Sequence, residues 1–216
     1  MRRENARPAD RTTSSIGAVA TGTIQEHAPE TLTLSRADVP ALTVTADPSS
    51  MVEVIGSGRV DWSLRFCAHG EGDSEDEVRE HLQELSMSRI GSAVSVNGPG
   101  FRQQAGRMGQ LNVDAPADAP IVVHVSFGAV DVRDMAGAVR VTAMHGRARI
   151  LDTVGKVDAA GQVVDFAGSK GTVVLSAEAE INLKLSTTRF EGTLTAWAQR
   201  PVRVLVPPSS QTPFKR

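Results

Sequence analysis

Hydrophobic and polar residues alternate along most of this chain. TLTLSR (31–36) places Leu32 and Leu34 on one face, and ALTVTA (41–46) does the same with Leu42 and Val44. RVDWSLRFCAH alternates further: Val60, Trp62, Leu64 and Phe66 share one face, and Asp61, Ser63, Arg65 and Cys67 the other. A period of two marks a strand with one buried face. One segment breaks the period. In GEGDSEDEVREHLQELSMSRIG, Ser74 and Glu77 stand at capping-box spacing, and acidic residues crowd the first turn. Val78, Leu82 and Leu85 recur at i, i+4 and i+7, an apolar stripe. This predicts a helix over 74–88 that leads through Gly91 into a strand at 93–96.

The second half repeats, most clearly over 121–196. Gly128, Gly137, Gly146 and Gly155 are spaced by nine residues, in GAVDVRDMA, GAVRVTAMH, GRARILDTV and the shorter GKVDAAG. The third and fifth positions are apolar: Val130 and Val132, Val139 and Val141, Ala148 and Ile150. The fourth is charged: Asp131, Arg140, Arg149. Each segment reads as a short strand plus a turn, with the four glycines as structural turn residues free to adopt positive φ. One such strand cannot bury its apolar face alone, so the segments must stack or pair. If two segments make one coil, Asp131 lies over Arg149 and Arg140 over Asp158, and opposite charges support that stacking. The expected fold is mainly β: a solenoid-like or flattened β-helix of short strands, with one α-helix in the N-terminal half. Residues 1–20 read as a polar, Arg-rich disordered arm (Arg2, Arg3, Arg7, Arg11), 21–207 as a single domain, and 208–216 as a disordered tail.

Composition narrows the function. The 216 residues carry 23 Lys and Arg against 25 Asp and Glu, so no charge excess favours nucleic acid or an anionic membrane. Aromatics are 4% with no Tyr, which argues against a stacking platform for bases or sugars. A single cysteine, Cys67, excludes an internal disulfide. No apolar run reaches membrane-spanning length, and no signal-peptide apolar region is seen, so the expected compartment is cytoplasmic.

The run VHVSFGAVDVRDMAGAVRVTAMHGRARI resembles the bacterial putative-adhesin domains of the toastrack type, whose pattern is a strand, a Gly turn, G-x-V-x-V and the same again. The alternating strands, acidic helix, AVSVNG and LNVDAP before the repeats fit as well, so the resemblance covers about residues 25–207. It implies a β-solenoid with a structural or protein-interaction role, linked to envelope-stress systems. It brings no catalytic residues. Such members often look extracellular or membrane-tethered, whereas here neither a signal peptide nor a membrane helix is seen.

Candidate chemistry is sparse. The sixth repeat positions, Arg133, Thr142 and Leu151, lack the Asp that calcium-binding β-rolls need. Asp131, Asp134, Asp152, Asp158 and Asp165 are the carboxylates that a carbohydrate-active β-helix lyase or glycosidase would use, the alternative reading. Their alternation with Arg favours a salt-laced solvated face. His27, His69, His81, His124 and His145 form no metal-spaced pair. Cys67 and His69 share a strand face as a two-ligand start without a third ligand in sequence. No nucleotide motif, cofactor site or metal site is therefore expected. GPGFRQQAGRMGQ (98–110) reads as a partner-binding loop carrying Phe101, Arg102, Arg107 and Met108. The expected function is a non-catalytic structural or protein-interaction module, with self-assembly through open coil ends as a further alternative.

Overall fold

The computed structural model describes residues 23–26, 29–47, 50–98, 107–185 and 190–206. In chain order these form β1 (Thr23–Glu26), β2 (Glu30–Leu34), β3 (Leu42–Ala46), β4 (Ser50–Ser57), β5 (Trp62–Gly72), α1 (Glu75–Gln83), β6 (Ser86–Ile90), β7 (Ala93–Asn97) and β8 (Arg107–Pro116). They continue with β9 (Ile121–Val125), β10 (Gly128–Arg133), β11 (Val139–Leu151), β12 (Lys156–Gly168), β13 (Lys170–Leu185), β14 (Glu191–Ala198) and β15 (Arg203–Leu205). The protein is mainly β, and its strands join one continuous mixed sheet.

That sheet has two faces. On the first, β7, β3, β9, the first parts of β11, β12 and β13, and then β14 pair in parallel. On the second, β8, β4, β10, the later parts of β11, β12 and β13, and then β15 pair in parallel. Successive nine-residue segments therefore go to opposite faces, and each pairs with the segment two further on. Val139 pairs with Ile121 on one side and Val157 on the other. Asp131 lies beside Arg149 with a 3.3 Å ion pair, and Arg140 beside Asp158 at 3.6 Å, as the charge pattern predicts. At the bend in β11 the buried parity switches from Val139, Val141 and Ala143 to Ala148 and Ile150. The pairing register with β12 shifts there, between Ala143 and Arg147. Inward side chains from both faces make one core, mostly Val, Ala, Ile and Leu, with Phe166 its largest member in the repeats.

The repeat glycines serve two ends. Gly128 and Gly155 have φ of 128° and 108°, a region that side chains rarely adopt. Gly137 and Gly146 have no positive φ; they are small because stacked backbones nearly touch. A Cβ on Gly146 would stand 1.8 Å from the Gly128 carbonyl oxygen, and one on Gly137 2.5 Å from that of Ala119. Positive φ thus marks Gly128 and Gly155, and close backbone approach marks all four.

The order of layers differs from the order of the chain. β7 and β8 come after β3 and β4, yet lie outside them, and the chain then returns past them to β9 and β10. The returning segment, Ala117–Pro120, is held as it passes. The Ala117 N–H donates to the Ser57 carbonyl at 3.0 Å. Arg36 donates two hydrogen bonds to the Asp118 carboxylate, at 2.7 and 2.9 Å. Those bonds hold the Asp118 carboxyl below the ordinary carboxylate range. A depressed carboxyl adds stability above its unfolded pKa, and that contribution disappears as pH falls through the folded value. In a carboxyl-carbon NMR titration Asp118 is expected to protonate below the ordinary aspartate range. Arg36→Ala returns it to the ordinary range; an unchanged Asp118 curve in that variant would contradict the assignment.

One end of the stack is covered. β5 runs antiparallel on β8, with β1 and β2 antiparallel along its far edge, and β6 runs antiparallel on β7. Trp62, Leu64 and Phe66 of β5 point into the core, as their alternation predicts. Val60 does not join them; it precedes the strand in a bend and is exposed. The helix packs on β5 so closely that a Cβ on Gly70 would meet the Val78 carbonyl at 3.0 Å. Its start is as expected: Ser74 is the N-cap, accepting from the Glu77 N–H at 3.2 Å, while Glu77 accepts from the Asp73 N–H at 2.9 Å. Its end is not. The helix stops at Gln83 rather than near Ser88, because Ser86–Ile90 form β6 and give their backbone bonds to β7. Leu85 remains buried after the helix has ended.

Candidate functional site

The outward-facing charges of the second face form one column. Strand register aligns Arg65, Asn112, Glu53, Asp131, Arg149, Asp165, Asn182 and Arg203 on successive strands. Arg147 donates to one Asp165 oxygen and Asn182 donates to the other at 2.9 Å. The Asp165 carboxylate thereby holds the Arg147 guanidinium above its ordinary pKa. Arg133 pairs with Glu53, and Arg203 with Glu180 at 3.6 Å. Of the five carboxylates considered for glycosidic chemistry, Asp131, Asp158 and Asp165 are therefore spent on arginines. Asp134 and Asp152 occupy successive corners with φ of 59° and 47°, the left-handed region that short polar side chains tolerate. Such a column orders the face without converging on a reacting centre. A shallow groove of about 430 Å³ runs beside it, walled by Asp131, Arg149, Asp165 and Asn182 and ending at Leu205.

That groove leads to the uncovered end of the stack. β14 and β15 pair only with β13, and the other edge of each is free among the described residues. Trp197, Val204, Leu205 and Val206 are 61%, 53%, 67% and 50% exposed. Leu194, Ala196 and Ala198 point inward but are only half-buried, because among the described residues no further layer closes the core over them. An apolar strand edge with unpaired backbone is a template for pairing with another chain. The expected site residues did not include this surface, although one signal was present. In TLTAWAQ, Trp197 stands out of phase with Leu194, Ala196 and Ala198, so the alternation itself turns it outward.

The partner-loop residues separate. Phe101 and Arg102 lie outside the described residues. Arg107 and Met108 belong to β8 rather than to a loop. The Arg107 side chain is 13% exposed and its Nε lies 2.5 Å from the Glu84 carboxylate just past α1, so it fastens the helix to the sheet. Met108 faces outward and is 45% exposed. His81 is buried, its Nδ1 2.8 Å from the Glu71 carbonyl oxygen. His145 stacks on Phe127 at a corner, with ring centroids 4.8 Å apart. Among the described residues no three His, Cys, Asp or Glu side chains gather as a metal site, and no helix is long and apolar enough to cross a membrane.

No family model matches this chain, and no curated protein matches it either. Solved structures do. A putative cell adhesion protein from Clostridium sporogenes is 8% identical, with 85% of this chain and 96% of that one covered and a TM-score of 0.41. A putative adhesin from Parabacteroides distasonis is 8% identical, covering 87% and 96%, with a TM-score of 0.26. One from Bacteroides fragilis is 7% identical, covering 82% and 97%, with a TM-score of 0.26. The resemblance read from the glycine-spaced segments recurs in these names.

Proposed function

We propose that this chain is a flattened β-solenoid serving as a non-catalytic interaction module of the adhesin type, and that its uncovered end is the contact surface. The observation that carries the reading is the difference between the two ends. At the covered end the outermost strands are short and mostly polar. β6 presents Ser86, Ser88 and Arg89 beside exposed Ile90, and β2 presents Glu30, Thr31 and Thr33. At the other end Trp197, Val204, Leu205 and Val206 surround two free strand edges. The occupant we assign is a second copy. Two open ends match each other, whereas an open end does not match a covered one, so pairing closes at two and does not extend into a fibre. The adhesin names of the similar structures support a non-enzymatic module. The envelope-stress setting and the cytoplasmic location enter as expectations.

Light scattering on the full chain tests this. The wild type is expected to run as a dimer at tens of micromolar. Trp197→Asp combined with Leu205→Asp is expected to run as a monomer with an unchanged circular dichroism spectrum. Both side chains are already exposed, so their replacement leaves the core intact. A wild type that stays monomeric at every concentration overturns self-pairing.

A further inference from the structure

Cys67 and His69 are left unused by this reading, and the structure supplies what their sequence spacing lacked. Both point to the outer side of β5, because Phe66, Ala68 and Gly70 between and around them are buried on the inner side. Cys67 is free and 5% exposed. The antiparallel register sets Met108 directly opposite His69 and Gln110 opposite Cys67. On the next strand Met51 stands opposite Gln110. Met108 and Met51 face outward as well, since Gly109, Ser50 and Val52 beside them are buried.

Directly opposed side chains have Cβ atoms about 5 Å apart, and diagonal ones about 7 Å, within reach of long side chains. A thiol, an imidazole and a thioether thus occupy neighbouring positions on the outer side of two strands, with a second thioether one strand further. A separate observation concerns the imidazole itself. His69 Nε2 is buried and has no hydrogen-bond partner among the described residues. Buried polar atoms are nearly always satisfied, and an exception calls for a partner such as an ion. The donor set identifies the ion's class. Thiolate and thioether sulfur select soft cations, Cu(I) above all, whereas magnesium and calcium take oxygen ligands.

We propose that Cys67, His69 and Met108 form a Cu(I)-binding site, with Met51 at its mouth. On binding, the Cys67 thiol releases its proton to solvent and coordinates as thiolate. His69 coordinates as the neutral imidazole through Nε2. The Met108 thioether completes a three-donor set, and the copper stays Cu(I) throughout, so no electron is transferred. The exposed methionines mark the route by which the ion reaches the buried cysteine.

The test is competition for copper without oxygen. The full chain, reduced, is titrated into the coloured Cu(I) complex of bicinchoninate. The wild type is expected to withdraw one copper per chain, with X-ray absorption showing both nitrogen and sulfur ligands. Cys67→Ser is expected to withdraw none. Met108→Leu, at an exposed position where leucine preserves the fold, is expected to bind at least about tenfold more weakly. Met144→Leu, exposed at the bend of β11, is expected to match the wild type. A wild type that takes no copper overturns the site, as does undiminished binding in Cys67→Ser. Undiminished binding in Met108→Leu overturns the three-donor arrangement.

Discussion

Replacing Gly146 with alanine is expected to destabilise the protein by about 3 kcal/mol or more, at or above the usual range for overpacking. The added methyl would stand 1.8 Å from the Gly128 carbonyl oxygen, well inside any non-bonded contact. Alanine has no side-chain torsion with which to move it aside. Backbone movement offers little relief, because Gly128 is itself crowded: a Cβ there would lie 2.0 Å from the Ser50 carbonyl. Shifting one layer therefore presses the next. Gly58→Ala is the control, since nothing lies within 4 Å of a Cβ at that position. Urea unfolding of the two variants beside the wild type measures the difference. A Gly146→Ala midpoint matching that of Gly58→Ala would show that the layers do not approach as closely as described.

Trp62→Ala is expected to cost about 3–5 kcal/mol, the range for truncating a large buried aromatic residue. Trp62 is wholly buried at the covered end, and its Nε1–H donates to the Val39 carbonyl at 2.8 Å. Truncation opens a cavity and also strands that carbonyl, and the two penalties act together. The loss is directed. Trp62 opens β5, which joins β1 and β2 to the rest, so amide hydrogen exchange should rise first in β1, β2 and β5. Exchange in β11 to β13 should follow only on global unfolding. Equal acceleration across all strands would mean that the covered end is not a separable unit.

Much of this fold is legible in the chain because its rules are local. The alternation in WSLRFC places every side chain of that part of β5 on its proper face, and the Asp131–Arg149 and Arg140–Asp158 charges reveal which segments stack. Where distant partners decide, local reading stops. Ser86–Ser88 follows an apolar helical stripe and is read as its last turn, yet a neighbouring strand reached through Gly91 gives Ser86–Ile90 better backbone bonds than the helix would. The placement of β7 and β8 outside β3 and β4 has no local mark either, since it depends on which edges stand free. The same holds for the chemistry. Cys67 and His69 are visible as a pair, but only the register between β5 and β8 brings Met108 to them.

The displaced layer has a consequence for synthesis. Chains are made from the N-terminus, and segments whose neighbours have not yet been made cannot pair. β3 and β4 leave the ribosome with no lateral neighbour on either side. Both flanks arrive later, first from residues 93–116 and then from 121–133. β3 and β4 must therefore wait, without lateral cover for their apolar faces, until well over half of the protein has emerged. From β11 onward each new layer finds its template already in place, and winding can keep pace with translation.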